Sequence, residues 1–278
     1  MPLPPPLVDL AGLARQRHRA RSHPGHEAAL FLHRLAADDL QERLLEVNRR
    51  FTNHALIAGF SDFWRGRFAE ARVLDPQDAL PFAPGAQDLV IHALALHWAN
   101  DPLGQLIQCR RALKPDGLFL GVMFGGQTLQ ELRASLAEAE AQVAGGLSPR
   151  VLPMGEIRDL GALMQRAGFA LPVADSVTQT VHYPDFAALM SELRAMGETN
   201  ALAARPRHFT RRTVLTRAEA IYHANFPAPD GRITATFELV FLTGWAPHES
   251  QQQPLRPGSA KARLADALSV PERPLNGD

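Results

Sequence analysis

Asp88-Leu89-Val90-Ile91-His92-Ala93, then Pro102, then Lys114-Pro115-Asp116-Gly117, then Leu118 to Phe124: this stretch decides the fold. The first piece is an apolar run after Pro84-Gly85, the pattern of a strand covered on both faces. Pro102 has a φ suited to the first helical position, and a helix is expected from there to about Leu113. Lys114-Pro115-Asp116-Gly117 stops it, and Leu118 to Phe124 reads as a second buried strand. Gly125-Gly126 leads into a helix with Leu129, Leu132, Leu136 and Val143 on one face, ended by Gly145-Gly146. Strand, helix, strand, helix in close succession is the rhythm of a parallel α/β sheet.

Working outward, Ala55-Leu56-Ile57-Ala58 before Gly59 reads as a buried strand. Ser61 could cap a helix through Glu70, and Val73-Leu74 starts a short extended piece. Upstream, 26–50 reads as a helix with Asp38 and Asp39 ahead of Arg49 and Arg50, the order that suits the helix dipole. Downstream, helices are expected at 156–167, 184–196 and 210–225 and strands at 173–181 and 233–245. The last alternates Ile233, Ala235, Phe237, Leu239 and Phe241 with Thr234, Thr236 and Glu238. The organisation expected is an N-terminal helical extension at 1–50, an α/β domain at 51–246 and a tail at 247–278.

Composition narrows the function classes. The 278 residues carry 29 basic and 29 acidic side chains. That balance argues against a protein whose main task is gripping nucleic acid. Cys109 is the only cysteine, so an intrachain disulfide or a multi-cysteine zinc site is excluded. No stretch approaches the length of a transmembrane helix. Lys114 and Lys261 are the only lysines, which with abundant Ala, Pro and Gly suggests a GC-rich genome. A bacterial cytoplasmic setting is expected. Arg15, Arg17, Arg19 and Arg21 early in the chain raise the mitochondrial matrix as the alternative, through a presequence; the plainer reading is an exposed basic helix.

Leu80-Pro81-Phe82, Asp88-Leu89-Val90, Leu96-His97-Trp98-Ala99-Asn100-Asp101-Pro102 and Leu113-Lys114-Pro115-Asp116-Gly117 occur in the order and spacing that resemble class I S-adenosylmethionine (SAM) methyltransferases. Within that superfamily the chain is similar to the complex I assembly factor 5 family and its bacterial relatives, and less so to malonyl-carrier-protein methyltransferases. The narrower likeness rests on Met123-Phe124-Gly125-Gly126-Gln127-Thr128-Leu129, Met196-Gly197-Glu198-Thr199-Asn200 and Gly244-Trp245-Ala246-Pro247-His248-Glu249-Ser250-Gln251. The resemblance implies a Rossmann-like sheet of seven strands, mostly parallel with the last antiparallel, and a SAM-type pocket at the carboxyl ends of the first strands. It also implies a protein substrate or partner, a respiratory-complex subunit, and methylation-like or arginine-hydroxylation chemistry.

A SAM pocket of this kind needs a glycine-rich turn after the first strand and a carboxylate after the second. Here Gly59 is the one glycine of the expected run, with Ala58 where an acid should stand. Gly59 and Leu80 are only 21 residue steps apart. Two helices, two strands and their turns need roughly 40 residues, so the sheet should be short by about one helix–strand unit in its first half. Gly59, Asp75, Asp78 and Leu80 are the cofactor-binding candidates, with Asp75 the only candidate for the second-strand carboxylate. The expectation is a methyltransferase-fold pseudoenzyme with a degraded cofactor site; the alternative is an active SAM-dependent methyltransferase with an unusual loop.

For a substrate or partner cleft the candidates are His97, Trp98, Asn100, Phe124, Gly125, Gly126, Glu198 and Asn200. His97 and Trp98 stand at a strand's carboxyl end, where α/β folds place ligands; they could equally be packing groups. Gly125 and Gly126 could aim N–H groups at a substrate or supply a turn with positive φ. Asn200 could be a plain helix cap. No metal is expected, since His248 and Glu249 are adjacent and the histidines lack ligand spacing.

Overall fold

In the computed structural model, which describes residues 5–252, the chain up to Pro247 forms one compact unit. Three helices come first: α1 (Leu10–Arg21), α2 (His26–Ala29) and α3 (Phe31–Glu46). Next are β1 (His54–Ala58), α4 (Ser61–Arg67), β2 (Arg72–Leu74) and β3 (Gln87–Ala93). A 3-10 turn (Leu96–Trp98), α5 (Pro102–Ala112), β4 (Leu113–Phe124) and α6 (Gln130–Ala144) follow. The chain continues through α7 (Ile157–Arg166), β5 (Ala170–Tyr183), α8 (Phe186–Met196), α9 (Arg212–Asn225) and β6 (Ile233–Trp245).

The strands make one sheet in the order β2-β1-β3-β4-β6-β5. β1 to β4 are mutually parallel, with Ala55 opposite Val90 and Val90 opposite Phe119. β6 runs antiparallel to both β4 and β5. Successive side chains point to opposite faces. Leu56, Ala58, Leu89, Ile91 and Leu120 therefore join one core with α3, α4, α6, α8 and α9. Ala55, Ile57, Val90, Phe119 and Met123 join the other, with α5 and α7. Burial on both faces explains the unbroken apolar reading of β1 and β3.

Among the described residues the sheet has six strands, not the seven that the resemblance implies. The shortfall lies where the spacing placed it. Residues 75–86, between β2 and β3, hold neither helix nor strand, and β2 is left at the edge. The loop is strapped to α5 instead. Gln105 Nε2 donates to the Gln77 carbonyl at 2.9 Å, and Gln108 Nε2 to the Asp78 carbonyl at 2.9 Å.

Local expectations need four corrections. The helix expected over 26–50 breaks at Leu30 and ends at Glu46. Phe60, not Ser61, is the N-cap of α4, and that helix stops at Arg67 rather than Glu70. β4 already begins at Leu113, through the segment read as a stop. α1 is an exposed basic helix only on the face of Arg15, Arg19 and Arg21: Gly12, Leu13, Arg17 and Ala20 are buried, and Ala20 belongs to the main core. Asp9 caps this helix, accepting from Gly12 N at 2.8 Å.

The described residues contain no helix long and apolar enough to cross a membrane. His248 opens a second unit, in which His248 Nδ1 and Ser250 Oγ lie 2.8 Å apart. Residues 253–278, most of the expected tail, lie outside the described residues.

Candidate functional site

The carboxyl ends of β1, β2, β3 and β4 converge on the face where α1 docks. Gly59 follows β1 directly. A Cβ added at Gly59 would lie 2.5 Å from Arg17 Cζ, so the guanidinium of Arg17 fills the space above this glycine. Arg21, one turn on, donates from Nη2 to the Gly59 carbonyl at 3.1 Å. Both guanidiniums stand over the Phe60 ring, 6.0 and 5.6 Å from its centroid, within cation–π range. Leu13, Arg17 and Ala20 recur at helical spacing, which puts an arginine on the buried stripe of α1.

Arg17 Nη2 lies 3.9 Å from Glu198 Oε1. Glu198 follows α8, which ends in a left-handed Gly197 (φ 78°). A Cβ at Gly197 would lie 3.0 Å from Phe60 and 3.3 Å from Arg17, so close approach as well as backbone conformation requires glycine there. Trp98 Nε1 donates to Glu198 Oε2 at 2.7 Å, and His97 Nε2 faces the same oxygen at 3.4 Å. His97 also meets Phe124 edge-on, with ring centroids 5.0 Å apart. Four sequence candidates, His97, Trp98, Phe124 and Glu198, thus form one cluster, and Arg17 completes it.

The cluster is almost dry: the side chains of Arg17 and Glu198 are 7% and 6% exposed. Burial opposes ionisation of Glu198, but His97, Arg17 and the Trp98 N–H outweigh it and hold the carboxyl below its ordinary range. Burial lowers the pKa of Arg17, against the pull of Glu198. Burial likewise pushes the nearby His33 down to about 3. His33 Nδ1 accepts from Trp64 Nε1 at 3.2 Å. Arg17 Nε, His33 Nε2, His97 Nδ1 and Glu198 Oε1 have no hydrogen-bond partner among the described residues. Buried polar atoms are seldom left so, which makes this cluster the leading candidate site.

Beside it lies a cavity of about 170 Å³, lined by Trp98, Phe124, Met154, Met190, Met196 and Glu198 among others. Its wall is mostly apolar, with Thr128, Arg150, Glu198, Thr199, Asn200 and Thr210 as the polar members. Leu129, also on the wall, holds a left-handed φ of 54°.

The other candidates are placed differently. Asp75 is the first residue after β2 and lines one cleft with Gly59, Ser61, Asp62 and Arg17. Asp75 thus stands at the carboxyl end of the second strand, beside the turn after β1. Asp78 and Leu80 do not reach that cleft: they lie along α5, with Leu80 N donating to Gln108 Oε1 at 2.7 Å. Asn100 pins the N-terminal segment, accepting from Val8 N at 2.9 Å. Asn200 spends its amide on Pro149 O at 2.7 Å and Leu202 N at 3.0 Å, at the cavity rim.

Gly125 and Gly126 neither present free N–H groups nor adopt positive φ. Their N–H groups donate to Glu238 O at 2.9 Å and Gly155 O at 3.1 Å. A Cβ at Gly125 would lie 2.6 Å from Val240 Cγ2 and 2.7 Å from Glu238 Cδ, so glycine is required there, whereas at Gly126 it would meet only the end of the exposed Glu156 side chain. Among the described residues no group of three or more His, Cys, Asp or Glu is arranged to hold a metal ion. Cys109 is buried in α5, and burial raises its thiol far above the ordinary range, as for an inert thiol.

Comparison with known proteins agrees with this architecture. Residues 25–121 match the family model described as a methyltransferase domain. The mitochondrial arginine-hydroxylase NDUFAF5 of Danio rerio is 41% identical over 198 residues, which are 71% of this chain and 61% of that protein. Its Homo sapiens counterpart is 43% identical over 194 residues, 70% of this chain and 56% of that one. A malonyl-[acyl-carrier protein] O-methyltransferase of Halorhodospira halophila is 36% identical over 167 residues, covering 60% and 55%. The chain thus spans between 55% and 61% of the length of these relatives. Over residues 25–121 the chain thus matches a methyltransferase domain, and over a longer stretch it resembles the NDUFAF5 proteins and, less closely, the malonyl-[acyl-carrier protein] O-methyltransferases.

Proposed function

We propose that this protein serves the modification or assembly of a protein partner, a respiratory complex I subunit, and that its cofactor position is closed. One observation carries the second half: the Arg17 guanidinium lies on Gly59, where the superfamily's cofactor must approach the backbone. The residues present do not fit SAM there. Ala58 replaces the expected acid, the edge helix–strand unit is missing, and two guanidiniums stand over the turn. The first half rests on the likeness to NDUFAF5 proteins, which are named arginine-hydroxylases, and on the buried Trp98–Glu198 pair beside a cavity. The setting proposed is the bacterial cytoplasm, whereas the NDUFAF5 relatives are named as mitochondrial proteins.

A second reading keeps an active SAM-dependent methyltransferase. Asp75 favours it, because that carboxylate does line the cleft beside Gly59. Calorimetric titration with SAM separates the two readings. For the partner, affinity capture with the full chain from its native host should recover a respiratory complex I subunit. Capture that repeatedly recovers none contradicts the proposal.

A further inference from the structure

The segment between Glu198 and Glu219 holds five arginines, Arg205, Arg207, Arg211, Arg212 and Arg217, with His208 and no acidic residue. At its tip stands Phe209, 99% exposed. Arg205 and Arg207 share Asp9 with Arg15, at 2.7, 3.2 and 4.0 Å, so three cations surround one carboxylate. Arg211 and Arg212 are exposed and form no ion pair among the described residues. The loop after α6 is tied to this segment, since Arg150 Nη1 donates to Thr210 Oγ1 at 2.7 Å. That loop presents Leu147, 72% exposed.

From this juxtaposition we propose that residues 203–212 are the docking surface for an anionic phospholipid bilayer, with Phe209 entering the interface and the arginines binding lipid phosphates. Guanidinium groups bind phosphate oxygens in a planar, two-point fashion. An acid-free basic loop is drawn to an anionic leaflet over about a Debye length. An aromatic ring as exposed as Phe209 has no preformed pocket around it. It gains most from a medium that yields around it, as the headgroup region does. A nucleic acid would meet a single stacking ring on a chain of zero net charge, a poor match for strand binding. An acidic protein would satisfy the arginines but leave Phe209 without a built pocket. Thr210 of this surface also lines the cavity beside Trp98, as does Leu215 just beyond it, so docking would bring the cavity toward the bilayer. The surface needs neither SAM nor a complex I subunit, and it stands independently of the functional reading above.

Vesicle flotation of the full chain tests it, using phosphatidylcholine vesicles with and without phosphatidylglycerol. The chain should float with the anionic vesicles, not with neutral ones, and added salt should release it. Phe209→Ser and the double variant Arg211→Gln/Arg212→Gln should each weaken partitioning about tenfold. Val173→Ser, at an exposed position on β5, should leave it unchanged. Absence of flotation, or flotation indifferent to Phe209→Ser, overturns the proposal. So does Phe209-dependent binding to single-stranded RNA or to polyglutamate without binding to vesicles.

Discussion

Arg17 and Glu198 are each tolerated in the interior because of the other and of the Trp98 N–H. Removing one member of a buried pair strands the other's charge, which typically costs about 3 kcal/mol. Arg17→Met and Glu198→Gln should each lower unfolding stability by about that much, and the double variant by clearly less than the sum. Urea denaturation of the four proteins measures the coupling, and simple additivity would show that the 3.9 Å approach carries no energy. His97, Trp98, Phe124 and Glu198 were legible as candidates because they stand at strand or helix ends. Their meeting was not, because Trp98 and Glu198 are 100 residues apart. Arg17 was missed altogether. A charged residue on a short basic helix reads as solvated, and only its place in register with Leu13 and Ala20 signalled burial.

At the scale of elements, the β3–α5–β4–α6 run was readable because two-faced burial gives continuous apolar strands, and Pro102 and Gly145 punctuate the helices. Bounds were weaker where no cap operates: Val47 ends α3 in an extended conformation, and α4 stops before its apolar pattern does. The absent helix–strand unit was readable as arithmetic between Gly59 and Leu80. What replaces it was not, since the glutamine straps from α5 leave no periodic signature. Losing one strap of this kind should cost about 1 kcal/mol, so Gln108→Ala should lower stability by that amount in urea unfolding. The docking of α1 over Gly59, the residue after β1, makes a sharper prediction. Gly59→Ala drives a methyl into the Arg17 guanidinium, an overpacking worth about 1–3 kcal/mol. Trypsin should then cut α1 at Arg15 or Arg19 faster than in the parent, and an unchanged rate would contradict the packing.

For the whole molecule, acid is the relevant stress. His33 and His92 are buried and neutral, with pKa values pushed by burial to about 3 and about 4 against an ordinary 6.5. In the unfolded chain both take up protons below pH 6.5; in the folded chain they do not until far lower. Their contribution is therefore full above pH 6.5 and is lost as pH falls toward 4. Between pH 7 and pH 5 each should withdraw about 2 kcal/mol. Glu198, also depressed, adds its loss only below about 4.5, its ordinary value. Denaturation midpoints at the two pH values check this, and His33→Gln should flatten the slope.

The same interior sets the central claim. A methyltransferase-like sheet one strand short still folds because β1, β3 and β4 keep both cores, and the proposal is that Arg17 of α1, lying against Gly59, closes the cofactor position. Calorimetric titration of the full chain with SAM and with its demethylated product tests this most directly. The account predicts no binding heat even at millimolar ligand; micromolar affinity for either would contradict it.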